Sequence, residues 1–227
     1  MTKHILGEKP IEYVTGHAQF LDLDFLVTPD TLIPRLESEQ IVIETLQFID
    51  DHELAHPVIA DIGTGSGCLG LSLAVKLSKG QIPYSIFLSD ISPQAHRVAD
   101  LNSQRLLHSP ENIFFLESNL LENFPKIKFD SILANLPYIP TKNIANLDSS
   151  VKDFEPKIAL DGGSIGNLYI NALLSKLPEF LSKNGQAILE INDTHTIDSF
   201  AIPKGVSASI QKDCFDKPRF LICSFFC

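Results

Sequence analysis

The chain has 227 residues, enough for one α/β domain with a full core, or for one domain and a small appendage. Hydrophobic residues make up 44% and charged residues 20%, which excludes a disordered or low-complexity chain. A net charge of −10, from 18 basic and 28 acidic residues, opposes phosphate backbones, so nucleic acid is an unlikely partner and a protein or small molecule is expected.

The first 25 residues carry Lys3, Glu8, Lys9 and Glu12 and lack the apolar core of a signal peptide. No apolar run reaches the ~18 residues of a membrane span. The cysteines, Cys68, Cys214, Cys223 and Cys227, show no metal-ligand spacing and read as reduced, mostly buried thiols of a cytoplasmic protein. Residues 11–33, IEYVTGHAQFLDLDFLVTPDTLI, alternate apolar and polar around turn residues, which predicts a hairpin or short strands. In ESEQIVIETLQFID, Ile41, Val42, Leu46 and Ile49 recur at helical spacing.

After His56-Pro57 the pattern becomes strand, glycine turn, helix. PVIAD predicts a strand, GTGSG a loop and CLGLSLAVKLS a helix. YSIFLSD predicts a second strand, and SPQAHRVADLNSQRL a helix opened by Ser-Pro. NIFFLES, FDSILAN and GQAILEIN complete five strands, with the helix LYINALLSKLPEFL before the last. Two further apolar stretches, GVSASI and RFLICSFF, predict an antiparallel hairpin at the sheet edge. Such alternation implies βαβ crossovers and a mainly parallel sheet with helices on both faces. Ligands in these folds sit at the carboxyl ends of the strands. DIGTGSG, LSD and ANLPY all fall there.

Gly63, Thr64, Gly65, Ser66 and Gly67 form a glycine loop between strand and helix, permitting close backbone approach to a ligand. Its Gly-x-Gly-x-Gly spacing differs from the dinucleotide fingerprint, and no phosphate-binding Lys follows. A ligand with a nucleoside and no phosphate suits it. Asp90, ending the second predicted strand, offers a carboxylate to two ribose hydroxyls, or else begins a helix. Asn119, after Ser118, reads equally as a turn former or as a residue reaching an adenine edge.

As a set, these residues resemble the class I S-adenosylmethionine-dependent methyltransferases, and ANLPY resembles the Asn-Pro-Pro-Tyr motif of the branch that methylates planar nitrogens. Over residues 5–227 the sequence is most similar to the release factor glutamine methyltransferases. The segment GEKPIEYVTGHAQFLDLDFLVTPDTLIPRLESE, the block VKDFEPKIALDGGSIGNLYI, GQAILEI and KDCFDKPRFLI match that family in order. The resemblance implies an α/β Rossmann-like fold with a seven-stranded, mainly parallel sheet, an antiparallel edge strand and a small preceding β-hairpin. It divides the chain into a hairpin and linker segment, 1–36, and a catalytic domain, 37–227. Family members usually carry an N-terminal helical domain that helps bind the release factor, and this sequence begins where that domain would end.

By the same resemblance, Asn135 and the backbone carbonyl of Leu136 accept the two N–H groups of a glutamine amide, Pro137 stiffens the turn and Tyr138 packs against the amide. Leu136 replaces the family's first Pro, keeps the carbonyl, and is biased to extended backbone by Pro137. The implied cofactor is S-adenosylmethionine, with S-adenosylhomocysteine as product. Gly63, Thr64, Gly65, Ser66, Gly67, Asp90, Asn119 and Asn135 would hold it, and Phe20 either covers it or belongs to the hairpin core. The implied partner is a peptide-chain release factor, with neither metal nor membrane involved. Arg35, Glu37 and Glu39 line the site or hold the hairpin. Glu155-Pro156 shapes a lid or a plain loop, and Glu190 ends a strand at the same sheet edge. NLPY as spelled also resembles the ribosomal RNA adenine dimethylases, which keeps an adenine N6-methyltransferase as the competing activity. A cofactor-binding module with weak catalysis is the third reading.

Overall fold

A computed structural model describes residues 9–107 and 110–225. Expectations on Lys3, Glu8, Cys227 and the first eight residues of segment 1–36 lie outside them. The described residues open with a helix rather than a strand, α1 (Ile11–Thr15), bounded by Pro10 and by Gly16 at φ 79°. Proline before a helix and left-handed glycine after it are boundary signals that outweigh the alternation. The expected hairpin follows as β1 (His17–Phe20) and β2 (Leu23–Leu26), joined through Leu21 and Asp22, both at positive φ. That primed turn matches the twist of the strands but strains non-glycine residues. The Leu21 N–H donates to Glu39 Oε1 at 2.8 Å, tying the turn to α2 (Glu39–Asp51).

The repeating unit follows as β3 (Val58–Ile62), α3 (Cys68–Lys79), β4 (Ser85–Asp90), α4 (Pro93–Leu106), β5 (Ile113–Glu117) and β6 (Phe129–Ala134). A short α5 (Ser149–Lys152) lies in the long connection after β6. The single helix predicted next is two, α6 (Leu168–Leu174) and α7 (Leu177–Phe180), divided just before Pro178, whose missing N–H suits a helix start and not an interior. The described residues end with β7 (Leu181–Glu190), β8 (Val206–Lys212) and β9 (Pro218–Phe225).

The seven-stranded sheet has the order β5-β4-β3-β6-β7-β9-β8. The first four pairings are parallel, and β9 runs antiparallel to both β7 and β8. The final hairpin therefore sits at the sheet edge, with its reversed strand one position in. Strand alternation feeds two cores. Ile59, Ile86, Leu88 and Leu133 pack on α2 and α3, while Ala60, Ile132 and Ala187 pack on α6 and α7. Cys223 is buried, Cys68 half-buried and Cys214 exposed, and all three are free thiols. Among the described residues, no helix is long and apolar enough to cross a membrane.

One buried charge lies between the sheet and α3. Asp61 is fully buried, and its Oδ2 accepts from Thr64 Oγ1 at 2.6 Å and Gly70 N at 3.0 Å, while Oδ1 has no partner among the described residues. Burial raises its carboxyl from 3.8 to about 6. The fold then holds this proton more tightly than the unfolded chain, so stability falls as pH rises between those values. At neutral pH the full penalty is about 3 kcal/mol. Removing the charge with Asp61→Asn should gain stability relative to the native chain by about 1 kcal/mol between about pH 5 and about pH 8. Urea unfolding at the two pH values checks this, and a pH-independent difference contradicts it.

Candidate functional site

Parallel register brings four strand ends together. Ile62 pairs with Ser89 on one side and Ala134 on the other, and Asp90 pairs with Glu117. The loops that follow these positions line one cleft, which includes Gly63, Thr64, Gly65 and Ser66, then Asp90, Asn119, Asn135, Leu136 and Pro137. Gly67 is not in its wall. It precedes α3 at φ 84°, where a Cβ would meet Leu71 at 2.7 Å.

The loop is shaped by backbone bonds. Thr64 N donates to Ser89 O at 2.8 Å, and Gly67 N to Thr64 O at 2.8 Å. Gly65 has φ 57°, and a Cβ there would meet nothing within 4 Å, so the space above it is open. Asp90 accepts Gly65 N and Ser92 N at 2.9 Å each, one on each oxygen. A carboxylate offers about four lone-pair sites, so this half-buried group retains acceptor capacity. Burial raises its pKa while the backbone donors oppose the shift. Asn119 is exposed, and its amide donates to Glu122 at 2.9 Å.

Phe20 is not brought to the cleft. It is 1% exposed and meets Phe25 edge-on at 6.2 Å, within the core against α2 and α3. Covering of a cofactor by Phe20 is thus corrected to the hairpin-core alternative. Alternation in β1 turns Ala18 and Phe20 inward together. The entrance segment contributes Asp30, Leu32, Pro34 and Arg35 to the cleft instead. Asn102 was not singled out in the sequence, yet it clamps this region. It is fully buried, accepts Leu26 N at 2.7 Å, and donates to Leu26 O and Ser66 O at 2.9 Å each. The hairpin is thereby fastened to the glycine loop.

At the end of β6, Asn135 Nδ2 donates to Ser38 Oγ at 3.0 Å. Ser38 in turn donates to Glu190, which also accepts Tyr138 Oη at 2.8 Å. Glu190 is 1% exposed. Burial raises its pKa, opposed by these two hydroxyls. Tyr138 does not line the cleft, and its hydroxyl anchors the turn through Glu190. The Leu136 side chain is 5% exposed, and its backbone carbonyl accepts no hydrogen bond among the described residues.

A second segment is zipped onto this turn. Ile139 N donates to Leu160 O at 3.1 Å and Gly162 N to Ile139 O at 2.9 Å, and Ile158 and Ala159 enter the cleft wall. Glu155 forms an ion pair with Arg35 and so joins this segment to the entrance. At Gly166, φ is 81° and a Cβ would fall 2.1 Å from Tyr138 O. Gly166→Ala should therefore destabilise by about 1–3 kcal/mol and displace Tyr138. Gly205→Ala, at φ 84° with nothing near, supplies the backbone cost alone. Equal midpoints for the two variants in urea unfolding would contradict the steric argument.

Residues 38–150 match the family model for the methyltransferase small domain. The fold is shared with a methyltransferase from Pyrococcus furiosus at TM-score 0.59 and 16% identity, covering 90% of this chain and 89% of that one. It is shared also with the ribosomal protein L11 methylase of Lactobacillus delbrueckii subsp. bulgaricus at TM-score 0.54 and 19% identity, covering 82% and 79%. The release factor glutamine methyltransferase of Leptospira interrogans is 36% identical over 218 residues, 94% of this chain and 74% of the relative. The chain belongs to the release factor glutamine methyltransferase family. Another member, from Moorella thermoacetica, is 39% identical over 182 residues, which are 80% of this chain and 62% of that relative. The chain thus spans under two thirds of that relative's length. Within the family's motif this chain carries Leu136, whose Cδ2 lies 3.0 Å from the place of a Cβ on Gly63. The acceptor turn and the glycine loop are therefore packed against each other.

Proposed function

We propose that this chain transfers a methyl group from S-adenosylmethionine to the side-chain amide nitrogen of a glutamine in a peptide-chain release factor, in the cytoplasm. In this reading residues 1–36 form a hairpin and linker segment serving a catalytic domain of 37–227. The carrying observation is Asn135, an amide tethered through its nitrogen at the cleft wall, with its oxygen left as an acceptor.

The residues fit the cofactor on two counts: the open space over Gly65, and the remaining acceptor capacity of Asp90 at the next strand end. Gly63 to Gly67 would let backbone approach the ligand, Asp90 would accept the ribose hydroxyls, and Asn119 would face the base. When bound, the cofactor would supply an electrophilic methyl on a sulfonium sulfur; its transfer would leave S-adenosylhomocysteine, and the amide nitrogen would release one of its two protons to solvent.

An amide nitrogen is a weak nucleophile, because its lone pair is delocalised into the carbonyl. The protein's task is to aim that lone pair and stabilise charge as it develops. Asn135 Oδ1 and the Leu136 carbonyl would each accept one N–H of the substrate amide, fixing its plane. Tyr138 holds this turn through Glu190. Exposed Ile158 and partly buried Pro137 add apolar wall that excludes water.

The test offers radiolabelled cofactor with purified release factor and structured RNA in parallel. Label is expected on the release factor. Label on RNA alone would overturn this reading in favour of an adenine substrate, which the net charge of −10 already disfavours.

A further inference from the structure

Ser38 stands at the head of α2, where a serine ordinarily accepts an N–H from the first turn. Here it makes no capping bond. It is 1% exposed and spends its hydroxyl on two long-range partners, Glu190 at the end of β7 and Asn135 at the end of β6. A hydroxyl has one hydrogen. Both oxygens of Glu190 accept, Oε2 from Ser38 and Oε1 from Tyr138, so that hydrogen goes to Glu190 and Ser38 Oγ is left as the acceptor for Asn135. A flipped Asn135 would set its Oδ1 against an oxygen with no hydrogen to give. Tyr138 holds the other oxygen of Glu190 at 2.8 Å, so the carboxylate is fixed from both sides.

We propose that Ser38 is a positioning residue, which, held by Glu190, selects the amide orientation of Asn135 that leaves Oδ1 facing the cleft as an acceptor. The proposal rests on the functional reading only for what Oδ1 then accepts. The relay joins three segments distant in sequence: Ser38 and Asn135 line the cleft, while Glu190 and Tyr138 are not in its wall.

The experiment follows the Asn135 side-chain NH2 pair by 15N NMR in the full chain, assigned by its loss in Asn135→Ala. Ser38→Ala should shift the pair and speed its hydrogen exchange by about tenfold or more, while Ser38→Thr, which keeps the hydroxyl, preserves it. With release factor as substrate, Ser38→Ala should lower kcat by about 10- to 100-fold with cofactor Kd within about twofold, and Ser38→Thr should restore it. Should Ser38→Ala not fold, Ser38→Cys, close in size and a poorer acceptor, serves in its place. An unmoved NH2 pair, or an unchanged kcat, overturns the proposal. A native chain that methylates no release factor while its NH2 pair responds as stated overturns the functional reading and leaves the relay standing.

Discussion

Asn135→Ala should lower methyl transfer by about 10²- to 10³-fold or more while leaving cofactor affinity within about twofold. The residue sits at the end of β6 and touches the rest of the protein through its nitrogen, so the truncation removes the acceptor oxygen from the cleft. The same cut frees Ser38, whose bond to Glu190 remains, so little stability is lost. The effect should appear in kcat, since the interaction is worth most when the amide nitrogen gains positive charge. Single-turnover assays with radiolabelled cofactor, beside calorimetric cofactor binding, make the separation. A variant that binds and turns over normally removes Asn135 from the chemistry.

Asp90→Ala should show the opposite division. Its carboxylate organises the glycine loop through Gly65 N and the head of α4 through Ser92 N, and in the proposed reading it also receives two ribose hydroxyls. Losing two charge-assisted bonds weakens binding on the order of 100-fold. Calorimetry with S-adenosylhomocysteine should register this, while saturating cofactor restores much of kcat. Unchanged affinity would place the ribose elsewhere in the cleft.

Sequence patterning reached the sheet because buried parallel strands are continuous apolar runs and their helices have apolar faces. It reached the glycine loop because Gly63, Gly65 and Gly67 adopt positive φ, which few other residues tolerate. Asp90 and Asn135 were legible as polar residues closing apolar strands. Ser38 was not. A serine before a helix reads as a cap, and nothing local tells that its partner lies 152 residues away. Asn102 was hidden likewise, since it lies on a polar helix and its partners are backbone atoms of Leu26 in β2 and Ser66 in the glycine loop, distant in sequence. Phe20 failed for another reason. Position near the cofactor segment does not say which face of a two-stranded hairpin a ring occupies. The break between α6 and α7 was available in Pro178, but the helical period over LYINALLSKLPEFL masked it.

The reversed strand β9 follows β8 in the chain, yet it fills the gap between β7 and β8. During synthesis the edge of β7 stays unpaired until β9 arrives, and until then β8 has nothing to join. Glu190 pairs with Phe220 across that seam, and Ile191 N donates to Arg219 O at 2.8 Å. A chain stopped before Pro218 would hold every residue of the cleft wall and still leave Glu190 on an open edge, with its anchoring of Ser38 and Tyr138 unsupported. The order of translation thus sets when the site matures: this topology delays the acceptor turn's support until β9 has been made.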